Sequence, residues 1–506
     1  MNSAMKKIAL ALLILLLTHG IHAQTKIFKE VGEDISTQIR PITQDNALVG
    51  YLAFTRLEQA DADSFNYRVT IIDENLHDIG TVNFRQENLL LEAVSFEQNV
   101  LCLGYIQSPL AGGESVRNRA ALKKAQGAAA SSHILMQFIS LNGRIINTYY
   151  KEVYLKTTEI VKGNAFSSVK LIGYLKYGMQ VRNIPDGGFC VFYGDDDVKR
   201  QLLVFDGKGS LVRERDVPLT FANHYYMRTS ASDVYLLIKD NEHVPEGGFT
   251  LYIYSAKDLS ATNNFPLRDS YDNWLKVLSF DNDPATGDAI IAGCIINPKR
   301  ERQFFTGTDY SYAPYLGLFT LDLGNTHKDM NANCSYWSNE NMPGIGRDGL
   351  FTDKGFYVKY ATAFRDYNGN TIFAGSALIG EGFVGAATYK FGDGVFVRQE
   401  ASGGIVLDNN IPCDKTKVFG PTAILFEQDK KEFYNVASPD TKNNYTIIND
   451  EENIYIYDVN GKKLMRTIPH KDGNLRINVY PAKEGHVMVS EYNRKEKTTR
   501  FSIEAL

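Results

Sequence analysis

Arg302, Tyr310 and Tyr312 fall in one stretch, Asn297 to Pro314, together with Lys299, Arg300, Phe304 and Phe305. Arginine mixed with several aromatics is the composition of binding hot spots, where a planar cation and large rings supply most of the contact energy. Trp337 stands in a second long polar stretch, Gly324 to Gly349, with His327 and Cys334. A basic run from Arg117 through Arg119 to Lys123 and Lys124 interrupts a third, Ser108 to Ser132, whose centre could form a short helix. These four residues, Arg302, Tyr310, Tyr312 and Trp337, are the candidate ligand-binding set. The competing reading is that such loops cover the molecule's own surface, with the aromatics as a local cluster.

Catalytic patterns are scarce. The sequence has no G-x-S-x-G turn, no H-E-x-x-H, no phosphate-binding loop and no strand-coupled G-x-G-x-x-G. The histidines are scattered without ligand spacing. Two acidic turns carry alternating oxygen side chains, Asp281, Asp283 and Asp288 in one and Asp366, Asn368 and Asn370 in another. Calcium wants roughly six to eight oxygens, and neither turn adds the terminal bidentate Glu. Asp, Asn and Gly also dominate ordinary turns, so no metal and no cofactor is assigned. The five cysteines include Cys102, Cys190 and Cys294 in apolar runs, where a thiol packs as a small hydrophobe. Cys334 and Cys413 lie in polar stretches that would allow a disulfide in an oxidising compartment.

The elements that must position these residues repeat. An alternating strand, a Gly/Asn/Asp turn and a second strand recur in YRVTIIDENLHDIGTVNF from Tyr67, QLLVFDGKGSLVRERDV from Gln201 and IYIYDVNGKKLMRTI from Ile454. Alternation across such a turn is a hairpin signature. A further strand pair precedes nearly every hairpin, as in LLEAVSF and VLCLGYI. Four-stranded units repeated radially are the blades of a β-propeller. The expected fold is therefore all-β, a single propeller of eight four-stranded blades, with seven as the alternative because Pro421 to Asn453 holds three strand candidates instead of two. The last blade reads one strand short at the C-terminus, and Thr25 to Val31 reads as a lone strand. Pairing the two would close the ring and remove its free edges.

Residues 1–23 read as a signal peptide, with Lys6 and Lys7 before an apolar run from Ile8 to Leu17 too short to span a bilayer. Residues 24–506 then form the propeller, exported to the periplasm or beyond the cell. Removing the signal takes two lysines and no acid, leaving 52 Lys and Arg against 59 Asp and Glu. That acidity argues against nucleic-acid binding, which needs a basic stripe, and no later run would insert in a membrane.

The signal junction at Ala23-Gln24, the strand-D-x-x-G-strand turns such as YDVNGKKL, and IPDGGFCVFYG from Ile184 carry a resemblance. The chain resembles secreted β-propeller proteins of Gram-negative bacteria, a group of uncharacterised function. The W-D signature of WD40 propellers and the Asp-box turn of sialidases are absent. The resemblance implies structure and transfers no catalytic residue. The expected function is non-catalytic binding or scaffolding by a monomer, with a protein, peptide or glycan on the face of the long loops. The alternative is a propeller glycoside hydrolase with carboxylates in its funnel, for which Asp269, Asp272 and Asp408 are the nameable acids.

Overall fold

The structure is a computed structural model that describes residues 25–29, 36–44, 47–61, 64–108, 115–116, 132–153, 157–162, 170–175, 178–194, 200–217, 225–239, 248–297, 315–324, 332–337, 344–347, 349–381, 388–414, 416–419, 431–483 and 485–506. Among them there is no helix. The strands pair into eight four-stranded antiparallel blades arranged in a ring. Numbered along the chain, blade 1 starts at Ser36, blade 2 at Leu89, blade 3 at Gly178, blade 4 at Tyr225, blade 5 at Trp274, blade 6 at Tyr357, blade 7 at Glu432 and blade 8 at Leu475. Each blade's first strand lies nearest the axis and its fourth at the rim.

Blade 3 shows why the sequence folds this way. Its two middle strands, Gly188–Gly194 and Arg200–Phe205, are buried at every residue. A strand sandwiched between neighbouring blades has no wet side, so its apolar residues run without a break. The rim strand Leu211–Val217 is exposed at most positions and reads polar. The turn before it is an Asx turn, in which the Asp206 carboxylate accepts the amides of Lys208 and Ser210 at 2.8 and 2.9 Å. Gly209 has φ +78°, and a Cβ there would sit 2.3 Å from the Phe138 ring of blade 2. The recurrent D-x-x-G turn thus does two jobs. It reverses the strand, and it lets the backbone press on the preceding blade.

The seam between blades 3 and 4 is fastened near the axis by side chains that bind the next blade's backbone. Gln180 donates to the Tyr225 carbonyl at 2.9 Å and accepts the Met227 amide at 2.8 Å. Arg182 donates to the Met227 carbonyl at 3.1 Å. Arg228 repeats the device one blade on, donating to the Phe280 carbonyl at 2.8 Å.

The ring closes as the sequence implies. Thr25–Lys29 pairs antiparallel with Thr498–Ala505, Thr25 opposite Ser502 and Lys29 opposite Thr498, and so becomes the rim strand of blade 8. The count is eight, as expected, and not the alternative of seven. Of the three strand candidates in 421–453, EFYNVAS and the NYTIIND segment form the first two strands of blade 7, and the other lies outside the described residues.

Two additions were not foreseen. Thr157–Lys162 and Lys170–Leu175 form a hairpin between blades 2 and 3, and Ser115–Val116 adds to its edge. Ser115–Val116 falls in the stretch expected to form a short helix and is strand instead, while the rest of that stretch lies outside the described residues. Thr416–Phe419 extends blade 6 by pairing with the start of its third strand.

Candidate functional site

In each blade the connections from second to third strand, and from one blade to the next, emerge on one face of the disc. Every connection longer than ten residues belongs to that face: 108–131, 154–177, 297–314, 337–356 and 412–431. The opposite face carries tight turns such as 185–187, 206–210 and 366–370, its longest connection being 323–332. That last segment corrects the expected single loop from Gly324 to Gly349. Asn333–Tyr336 inside it is the rim strand of blade 5. Likewise Ile405–Ile411 is the rim strand of blade 6. Both strands hide their alternation behind polar residues. Ser335 is fully buried, donates to the Gly403 carbonyl at 2.8 Å and receives Gln399 at 2.8 Å. Asn409 donates to the Tyr457 hydroxyl at 2.8 Å.

Arg302, Tyr310 and Tyr312 lie outside the described residues, as does the basic run 117–124. Trp337 is described, and it is a core residue. Its ring is 3% exposed. The indole N–H donates to the Tyr315 carbonyl at 2.7 Å. One face stacks near Tyr360, with centroids 6.5 Å apart and planes 19° apart. Gly349, at φ +85°, passes so close that a Cβ would meet Nε1 at 2.9 Å. Phe351, Phe356 and Phe391 complete the same cluster at the seam of blades 5 and 6. A ring with its one donor used and its faces covered offers nothing to a ligand, so the expectation for Trp337 as a contact residue is corrected.

Sequence reasoning passed over Tyr271. It lies in the connection 267–273, on the long-connection face, and at 76% exposure is the most exposed of the large hydrophobic side chains described. Its ring sits edge-on to Tyr336 at 5.8 Å and 81°. Tyr336 in turn donates its hydroxyl to Asp269, and burial followed by that carboxylate pushes the phenol's pKa up. The short run Asp269 to Asn273 is therefore held rigid beneath an exposed ring. The signal in the sequence was an aromatic inside an Asp-rich turn, which reads as an ordinary loop.

The acids put forward for hydrolysis do structural work. Asp269 accepts the amides of Tyr271 and Asn273, both at 2.8 Å. Asp272 is exposed and pairs with Arg268. Asp408 sits on the rim strand of blade 6, 3.7 Å from Arg398 and 2.9 Å from Lys462. They are spread over loop and rim and do not converge in the funnel. The two turns weighed for calcium are closed by their own chain: Asp283 accepts Ala285 N at 2.7 Å, and Asp366 accepts Asn368 N and Asn370 N at 2.9 and 2.8 Å. Among the described residues no group of three His, Cys, Asp or Glu is placed to hold a metal ion. All five cysteines are free thiols, so Cys334 and Cys413 are not joined. Burial raises the Cys413 pKa to about 12, as it does for Cys190, which makes both poor nucleophiles. Among the described residues no helix is long and apolar enough to cross a membrane.

No family model matches the chain, and no curated protein is similar to it. Among solved structures, it is similar to the C-terminal WD40 domain of Sif2, with 10% identity, 90% of this chain and 92% of that one covered, and a TM-score of 0.44. The WD40 domain of SCAP from fission yeast has 9% identity, coverages of 96% and 98%, and a TM-score of 0.38. Apo AztD from Citrobacter koseri has 9% identity, coverages of 87% and 92%, and a TM-score of 0.38. At these values the likeness carries no weight of its own. The propeller is established by the strand pairing.

Proposed function

We propose that this protein is an exported, non-catalytic binding or scaffolding propeller that takes a protein, peptide or glycan on its long-connection face. The observation that carries the proposal is the one-sided distribution of chain: every connection longer than ten residues leaves the same side of the disc. Random surface growth would not choose between faces, since turns on either side tolerate insertion equally well. Long connections held by a rigid scaffold are where binding residues concentrate. Arg302, Tyr310 and Tyr312 belong to the 297–314 connection of blade 5, and Tyr271 stands in the connection that leads into that blade.

The test is a glycan and peptide array followed by titration of any hit. Alanine at Tyr271, Tyr310, Tyr312 or Arg302 should weaken binding by roughly thirtyfold at a hot spot, equivalent to about 2 kcal/mol. Asn460→Ala, in a tight turn of the opposite face, should leave it unchanged. The reverse pattern would refute the face assignment.

A further inference from the structure

The opposite face holds a cavity of about 340 Å³ at the mouth of the central pore, walled by the inner strands of blades 1 to 5. Its charged residues are Arg182, Arg228 and Asp281. Both guanidiniums are held from behind by main-chain carbonyls. Arg182 donates through Nε to Met227 O at 3.1 Å and through Nη1 to Val181 O at 3.0 Å. Arg228 donates through Nε to Phe280 O at 2.8 Å and through Nη2 to Asp281 at 3.2 Å. That leaves Nη2 of Arg182 and Nη1 of Arg228 without a hydrogen bond among the described residues.

The lining itself is short of a negative charge, the nearby Glu97 carboxylate being taken up by the Asn183 side chain and the Asp186 amide. Two cations face one carboxylate, and Asp281 is the bridging partner of Arg228 alone. The next arginine along, Arg365, already has Asp283 at 3.4 Å and Asp322 beside it. Deeper in the pore Glu92 has Arg40 as its counter-charge. Burial, and then Arg228, lower the Arg182 pKa to about 10 against the pull of Asp281, as expected of a half-buried cation short of a partner. The side chains of Thr43, Ser95 and Asn282 add donors and acceptors to the wall.

We infer that this pore mouth is a binding site for a small polyhydroxylated carboxylate, an acidic sugar of the hexuronate class. A single carboxylate would offset the excess positive charge of the lining. The two oxygens of a planar carboxylate suit one charge-assisted N–H from each guanidinium, Nη2 of Arg182 and Nη1 of Arg228. The hydroxyl and amide groups of the wall are the partners sugar hydroxyls need. The site lies on the face away from the long connections, so it stands or falls independently of the function proposed above.

Calorimetric titration of the protein with D-glucuronate, D-galacturonate and D-mannuronate tests this. D-glucose, acetate and inorganic phosphate serve as the probes that each lack one required feature. At least one hexuronate should bind at least roughly tenfold more tightly than any of the three controls. Failure of all three to bind at about 10 mM, or equal binding of phosphate, acetate or glucose, overturns the inference. Arg182→Gln should weaken hexuronate binding by roughly tenfold or more. Because Arg182 also ties strand to strand, Asp281→Asn provides a second arm that spares those bonds. Removing the built-in carboxylate should tighten hexuronate binding several-fold, an effect a merely structural role would not produce. Unchanged or weaker binding in Asp281→Asn would sink the proposal.

Discussion

Blades 7 and 8 reach the same four-stranded form by different routes. Blade 7 is drawn from one continuous stretch, Glu432–Ser438, Asn443–Asn449, Asn453–Asp458 and Lys463–Pro469, joined by short turns. Blade 8 takes three strands from one end of the described chain and its rim strand, Thr25–Lys29, from the other. The packing differs accordingly. The cluster between blades 7 and 8 is aliphatic and β-branched, built from Ile447, Ile454, Ile456, Ile468, Ile477, Val487 and Val489. The cluster between blades 8 and 1 mixes Tyr51, Met488 and Phe501 with smaller residues, and Phe28 packs against it. Phe28 meets Phe501 edge to face at 5.5 Å. A hairpin inside one stretch forms locally and needs little beyond fit. A strand arriving from the far end must repay the entropy of closing the whole chain, and large aromatic contacts with a cross-seam hydrogen bond supply that.

The sharpest way to break this comparison is to delete Thr25–Lys29. Blade 8 would expose the free edge of Thr498–Ala505 and lose the Phe28–Phe501 contact. An open edge invites pairing with other chains. We expect aggregation and a melting temperature lower by at least about 5 °C in a thermal scan. A deletion variant that melts with the parent would show that the rim strand of blade 8 is dispensable and that the two blades differ less than their connectivity implies.

The class of fold and its closure were legible because both rest on repetition. Alternation, Asp-x-x-Gly turns and one orphan strand recur or fail to recur in the sequence itself. The rim strands Asn333–Tyr336 and Ile405–Ile411 were not legible, because their inward residues are Ser335 and Asn409, whose burial is satisfied by hydrogen bonds and leaves no apolar pattern. Trp337 was misread for the converse reason. An aromatic in a polar stretch looks like a surface anchor, yet Gly349 and Tyr315 fold over it from outside that run's local pattern. Arg182 and Arg228 were invisible as a pair, since they are 46 positions apart and meet only where successive inner strands ring the pore.

A second, smaller test compares seams rather than blades. Tyr51 donates its hydroxyl across the closing seam to the Pro481 carbonyl at 2.9 Å. Tyr457 makes the equivalent link between blades 6 and 7 by accepting from Asn409 at 2.8 Å. Burial raises both phenol pKa values, that of Tyr457 to about 12, so both act as neutral hydroxyls at ordinary pH. Tyr51→Phe and Tyr457→Phe should each cost about 1 kcal/mol in denaturant unfolding. Tyr51→Phe should cost more, because it strands the carbonyl of Pro481 and removes a bond that ties the N-terminal blade to the C-terminal strands of blade 8. Equal costs would mean that the closing seam is energetically ordinary.

The smallest effect concerns the ion pairs that cross these seams at the rim. Lys26 of the closing strand bridges to Asp78 of blade 1, with Lys26 16% and Asp78 56% exposed. Arg466 of blade 7 bridges to Glu504 of blade 8 at 2.6 Å, at 36% and 27% exposure. Coulomb attraction at such sites is weakened by water and by salt, and ordering two long side chains offsets part of what remains. Lys26 has one added contact, its ammonium lying 5.5 Å from the Phe28 ring centroid. That contact strengthens the aromatic anchor and not the ion pair, so it should survive high salt better. Double-mutant cycles on Lys26 with Asp78, and on Arg466 with Glu504, should therefore each give a coupling below about 1 kcal/mol. Both couplings should fall as salt rises from about 0.1 M to about 1 M, where the screening length drops to about 3 Å. The residual cost of Lys26→Met at high salt should exceed that of Arg466→Met. If the Lys26 coupling instead stays large in high salt, the closing strand is fastened chiefly by charge, and the contrast drawn between an aromatic closing seam and an aliphatic continuous one is wrong.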